Sequence, residues 1–210
     1  MAISKLKQRK KMKKAITALL VIDAQRIYTD PQSELFCKNS DKTLSNINRL
    51  IKVFLAIKNP IVFIRHVHAL DGSDLGRMFD YAGEFEDFNF KSGSPEVEYA
   101  PDLKRQDGVT EITKTRYSAF QKTDLDSILR KKGVTRIVVC GFMTNFCCES
   151  TAREAHDRDY YVTFIPDATG CPELPRMPQK RIREVVGALL EAGFATVTST
   201  SDFIRKLKER

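Results

Sequence analysis

The hydrophobic pattern of this chain alternates between two kinds of segment. Residues 18–22, Ala18-Leu19-Leu20-Val21-Ile22, form an unbroken apolar run that suits a strand buried on both faces. Leu44, Ile47, Leu50, Ile51, Phe54 and Leu55 then recur at helical spacing, which predicts an amphipathic helix stopped by Pro60. Further strands are predicted at 61–64, 111–114, 136–141, 161–166 and 195–199, and further helices at 124–132, 145–157 and 176–192. Gly133 and Gly193 end two of these helices.

Strands alternating with helices in this way predict an α/β fold with a parallel sheet covered on both faces. The segment 69–110 breaks the alternation. It interleaves Gly72, Gly76, Gly83, Gly93, Pro95 and Pro101 with Phe79, Tyr81, Phe85, Phe88 and Phe90. A loop of that length is expected to cover a site or to carry short helices of its own.

Charge changes the picture less than it first suggests. The net charge is +8, but seven lysines and arginines fall within residues 1–14 with no acid among them, so the remainder carries about +1. Residues 1–14 are therefore read as a basic, solvated arm ahead of a single domain spanning 15–210, and nucleic acid is not the expected partner. The apolar residues that follow the arm are read as a strand, not as the core of a secretory signal. No segment has the length of a membrane span. The 5 cysteines make no disulfide framework, and a reducing, cytoplasmic setting is expected.

In open parallel sheets, ligands bind beyond the carboxyl ends of the strands, where the strand order reverses. Asp23, Lys114 and Cys147 stand at or just after such ends. Taken singly, each has an ordinary structural reading: a turn residue, a surface lysine, a buried thiol. Together they outline a site. Thr144 is the expected N-cap of the helix that carries Cys147, so that free N–H groups at its start favour the thiolate and hold an oxyanion.

Three blocks then carry a resemblance. Gly141-Phe142-Met143-Thr144-Asn145-Phe146-Cys147-Cys148-Glu149-Ser150-Thr151-Ala152-Arg153-Glu154-Ala155 resembles the nucleophile motif of the isochorismatase-like cysteine hydrolases, with Asp167-Ala168 after the next strand. Leu20-Val21-Ile22-Asp23-Ala24-Gln25 and Lys114-Thr115-Arg116-Tyr117-Ser118-Ala119-Phe120 match in order and spacing. The resemblance extends over roughly residues 16–207. It implies a doubly wound, six-stranded, Rossmann-like three-layer sandwich and a catalytic trio of Asp23, Lys114 and Cys147. It further implies a cis peptide at Phe142-Met143, an oxyanion hole from the Met143 and Cys147 N–H groups, and a homo-oligomer. Gln25, His68, Arg77, Tyr117 and Phe120 are the residues expected around a small-molecule substrate.

The expected chemistry is hydrolysis of a C–N bond in a small amide, carbamoyl or ureido compound through a thioester on Cys147. Tyr117 keeps a second branch open, because it matches a pocket residue of the isochorismatases, which cleave a vinyl ether with the counterpart of Asp23 as general acid. A third reading is a non-catalytic module whose basic arm binds nucleic acid. No cofactor is expected. The nicotinamidase branch binds a metal through an Asp-x-His pair, whereas this chain has His66-Val67-His68, which share a strand face, with His156 on a later helix; a two-histidine metal site is the alternative, and no metal is the expected reading. Cys148 points away from Cys147 and is expected to pack in the core.

Overall fold

The computed structural model describes residues 15–80, 82–83, 87–106 and 108–209. The basic arm, and Tyr81 and Phe85 of the long loop, lie outside the described residues. In chain order the elements are β1 (Ile16–Ile22), α1 (Ser40–Ala56), β2 (Ile61–His66), β3 (Thr110–Lys114), α2 (Leu125–Lys131), β4 (Val134–Phe142), α3 (Glu149–Asp157), β5 (Tyr161–Gly170), α4 (Gln179–Glu191), β6 (Ala195–Val197) and α5 (Thr200–Lys208). A π-helical turn, Thr144–Cys148, joins β4 to α3.

The 6 strands form one sheet in the order β3-β2-β1-β4-β5-β6. Every pairing is parallel. The unbroken apolar runs are explained by this arrangement, since alternate residues of β1 enter different cores. Ala18, Leu20 and Ile22 pack with residues of α2, α3 and α4 on one face, while Leu19 and Val21 pack with residues of α1 and α5 on the other. The chain therefore forms the expected three-layer, doubly wound sandwich, whose order reverses between β1 and β4.

Three local features differ from the sequence-based expectation. The helix α5 was not expected; its Phe203, Ile204 and Leu207 pack against the α1 side of the sheet, with Phe203 stacked on Phe54 at 6.2 Å. A capping signature was present, because the Ser199 side chain accepts from the Asp202 N–H at 3.1 Å. Strand β5 runs to Gly170, four residues past its expected end. The helix expected at 145–157 is divided, with its first turn wound wider than an α-helix and the Cys148 N–H reaching back to the Met143 carbonyl at 3.1 Å.

One glycine sets the geometry of the reversal point. Gly141 lies opposite Ile22 in the β1·β4 register, at φ 125°, and a Cβ there would lie 1.9 Å from the Ile22 carbonyl oxygen. Only glycine lets β4 pass this close to the end of β1. Directly beyond, Asp23 turns at φ 47° while its N–H still bonds the Ile64 carbonyl of β2 at 2.9 Å. The left-handed turn, which Asp tolerates better than most residues, takes its side chain out of the strand's alternation at the sheet's carboxyl rim.

Candidate active site

Asp23, Lys114 and Cys147 converge. The Lys114 Nζ lies 2.8 Å from Asp23 Oδ2 and donates to Cys147 Sγ at 3.3 Å and to the Arg116 carbonyl at 3.0 Å. The three residues are 0%, 1% and 2% exposed. Lysine's length is used here, because β2 stands between β3 and β1 and the ammonium must reach across the end of β2. The 2.8 Å contact is an ion pair without hydrogen-bond alignment, and neither carboxylate oxygen of Asp23 has a hydrogen-bond partner among the described residues.

Electrostatics separates the roles. Burial raises the Asp23 carboxyl above its ordinary value of 3.8, with Lys114 pulling against it. Burial opposes charge on Lys114, but Asp23 and Cys147 outweigh it and its pKa is raised. The thiol of Cys147 is pushed up to about 12 by burial, with Lys114 opposing. The resting group is a thiol beside a carboxylate that can take its proton, and desolvation outweighs the ammonium and the helix start.

The backbone around the nucleophile also departs from the expected cap. Met143 is the cap residue, in an extended conformation, and Thr144 is already inside the helical turn, its hydroxyl donating to Thr169 at 2.8 Å. The peptide bond Phe142-Met143 is cis. Cys148 is fully buried in the core packed between the sheet and α2 to α4, as expected for a packing residue.

A cavity of about 150 Å³ opens beside Cys147, lined by Tyr28, Leu35, His66, Met78, Phe79, Asn89, Phe90, Tyr117, Met143 and Phe146. A larger open groove of about 900 Å³ beside α1 holds none of the trio. The long loop thus covers the site, and in 69–110 the sole helical turn among the described residues is a 3-10 turn at Pro95–Val97. Tyr117 lines the cavity, tilted against Phe146 at 5.1 Å.

The other residues expected around a substrate are not among those that line this cavity. Gln25 is fully buried and serves as a clamp: its Nε2 donates to the His66 and Val97 carbonyls at 3.0 and 2.8 Å, and its Oε1 accepts from the His66 N–H at 2.8 Å. Phe120 is 4% exposed and stacks on Tyr160 within the core. Arg77 is turned outward and pairs with Asp80 at 2.6 Å. His68 is set back from the cavity, between His66 and Asp74.

Sequence reasoning missed Met78, Asn89 and Phe90 as lining residues, and placed His66 only in a metal pair. No pattern marks a single loop residue as lining, and only the interleaved aromatics hinted at it. Asp23, His66 and Cys147 each offer a ligand atom within 4.8 Å of the others, a spacing that a metal ion could bridge. The Lys114 ammonium already contacts two members of that set, so the positive charge of the site is supplied by the chain. His66 and His68 are bonded to each other through Nε2 at 2.9 Å, and His156 is on the far side of α3 next to Phe194 and Asp157.

A buried Asp–Lys–Cys cluster thus stands at the reversal of strand order of a doubly wound α/β domain. The family model for the isochorismatase domain matches residues 17–202, and the chain belongs to that family of hydrolases. A cysteine hydrolase from Pseudomonas syringae superposes with a TM-score of 0.85 at 29% identity, covering 94% of this chain and 99% of that one. Nicotinamidase 3 of Arabidopsis thaliana is 34% identical over 73% of each chain. The ureidoacrylate amidohydrolase RutB of Caulobacter segnis is 27% identical over 89% of this chain and 84% of its own. Among the described residues, no helix is long and apolar enough to cross a membrane.

Proposed function

We propose that this protein hydrolyses the C–N bond of a small amide, carbamoyl or ureido compound through a thioester on Cys147. The observation that carries the reading is the single ammonium of Lys114 touching both the Asp23 carboxylate and the Cys147 sulfur in a buried site. Asp23 takes the thiol proton as sulfur bonds to the substrate carbonyl carbon, and the Met143 and Cys147 N–H groups receive the oxyanion. Collapse of the tetrahedral adduct breaks the C–N bond, and Asp23 returns its proton to the departing nitrogen. Water then attacks the thioester, gives a proton to Asp23, and the expelled thiolate recovers that proton. Lys114 stays charged throughout and stabilises each anionic form in turn.

The cavity volume of about 150 Å³ falls below the roughly 300–1,000 Å³ of drug-sized sites, which supports a compact substrate. Two of the relatives named above are amidohydrolases of small molecules by name, and both support C–N cleavage. A reducing compartment forms part of the same proposal, supported by 5 free, buried cysteines, as does the homo-oligomer that the family resemblance implies.

The test is a panel of small primary amides, carbamoyl and ureido compounds, assayed for ammonia release with wild type and Cys147→Ala. Release by wild type that falls at least about 10⁴-fold in the variant supports the covalent route. Release that survives in Cys147→Ala removes it. Vinyl ether hydrolysis by Cys147→Ala would select acid catalysis by Asp23 instead.

A further inference from the structure

The strand β2 ends in a hydrogen-bonded series that the trio does not use. Asp74 Oδ1 lies 3.0 Å from His68 Nδ1, and His68 Nε2 lies 2.9 Å from His66 Nε2. The series is held in place on three sides. Asp74 Oδ2 accepts from the Ala69 N–H at 3.0 Å, the Asp74 carbonyl accepts from Arg116 Nη1 at 2.7 Å, and the His66 ring lies flat against Phe90 at 4.6 Å and 13°.

Proton positions follow from the donors available. An ionised carboxylate only accepts, so His68 donates to Asp74 from Nδ1. Burial lowers the pKa of His68 and so favours the neutral ring, which presents a lone pair at Nε2. With that tautomer the proton between the two rings belongs to His66 Nε2. Burial, Lys114, His68 and Arg116 all lower the pKa of His66 as well. Its remaining nitrogen, Nδ1, is left with a lone pair and has no donor among the described residues, on a residue that lines the cavity beside Cys147.

We infer that the Asp74-His68-His66 series fixes His66 as an obligate hydrogen-bond acceptor, which selects a substrate bearing an N–H on its reacting group, namely a primary carboxamide or terminal carbamoyl. This rests on the C–N hydrolase reading above and narrows it. An amide N–H donates to Nδ1, whereas the oxygen of an ester or vinyl ether of the same shape sets two lone pairs against each other. His66 is thereby a specificity-determining residue, and His68 and Asp74 are positioning residues that act through it.

Two measurements on the full chain test the inference. In ¹⁵N-histidine spectra of the free protein, which has 3 histidines, the inference expects His68 protonated at Nδ1 and His66 at Nε2. The reverse pattern, or a doubly protonated His68 near neutral pH, overturns it with no substrate involved. Second, kcat/KM is compared for the most active primary amide of the panel and its methyl ester. His66→Phe, which keeps the ring and removes both nitrogens, is expected to lower the amide-to-ester ratio at least about tenfold. His66→Asn, which keeps an acceptor oxygen near the Nδ1 position, is expected to restore part of it. Equal losses for amide and ester in both variants would mark His66 as merely structural. Amide turnover that survives in Cys147→Ala would instead overturn the thioester reading and leave the tautomer result standing.

Discussion

The site around Cys147 has two parts of different construction, and Cys147 alone of the trio lines the cavity. On one side Asp23, Lys114 and Cys147 come from strand ends or the turn after one, are at most 2% exposed, and hold each other's charge. On the other, Met78, Phe79, Asn89 and Phe90 come from the long loop between β2 and β3 and contribute mainly apolar area. Buried charge is tolerable only where partners are fixed to fractions of an ångström, and a parallel sheet supplies that fixity. Shape recognition needs no such precision and is carried by irregular backbone. His66 joins the two, since it ends β2 and is tied through His68 to Asp74 of the loop.

The largest effect that would break this contrast is expected at Lys114. Lys114→Met leaves Asp23 buried without its cation, which should cost about 3–5 kcal/mol of stability in denaturant unfolding and at least about 10³-fold in kcat. A variant of near wild-type stability would show that the ion pair does not organise the rim. A smaller and different effect is expected from the loop. Phe79→Ala should reduce kcat/KM for the preferred amide by about tenfold, through lost apolar contact, while leaving the rate of Cys147 acylation at saturation within a few fold. A collapse of that rate would place chemistry, not shape, on the loop.

The smallest effect concerns the position of a pH limb. The free enzyme needs Asp23 as carboxylate, and burial raises its pKa, so protons bind at a pH above 3.8. The kcat/KM should therefore fall as pH drops through a midpoint above 3.8 and hold through neutrality, because Lys114 and the Cys147 thiol lose their protons only above 10.5 and at about 12. A midpoint below 3.8 would mean that Lys114 overrides burial. The limb reports the coupled site rather than one group.

The same contrast explains what was legible in the sequence. Central strands lie between two cores, so their apolar runs announce themselves, and Asp23 and Cys147 could be read as the residues just beyond β1 and β4. The matched blocks located Lys114. Tertiary contacts were not legible in that way: Gln25 sits in a matched block yet clamps the backbone at His66, and Phe120 shares a block with Lys114 but packs on Tyr160. Helix α5 was missed because its lysines and arginines masked the Phe203, Ile204 and Leu207 stripe, although Ser199 and Asp202 marked its start. The raised pKa of Cys147 was not legible for a related reason. Sequence shows a helix start, but only the folded site shows how completely water is excluded from it.

The central claim is a covalent bond between substrate carbon and the Cys147 sulfur. Its most direct test is intact-protein mass spectrometry after rapid acid quench during turnover of the preferred amide. The account predicts a mass increase equal to the acyl group, located on the peptide carrying Cys147 and absent in Cys147→Ala. Steady turnover with no adduct at any quench time, or an adduct that forms on Cys148 instead, would contradict it.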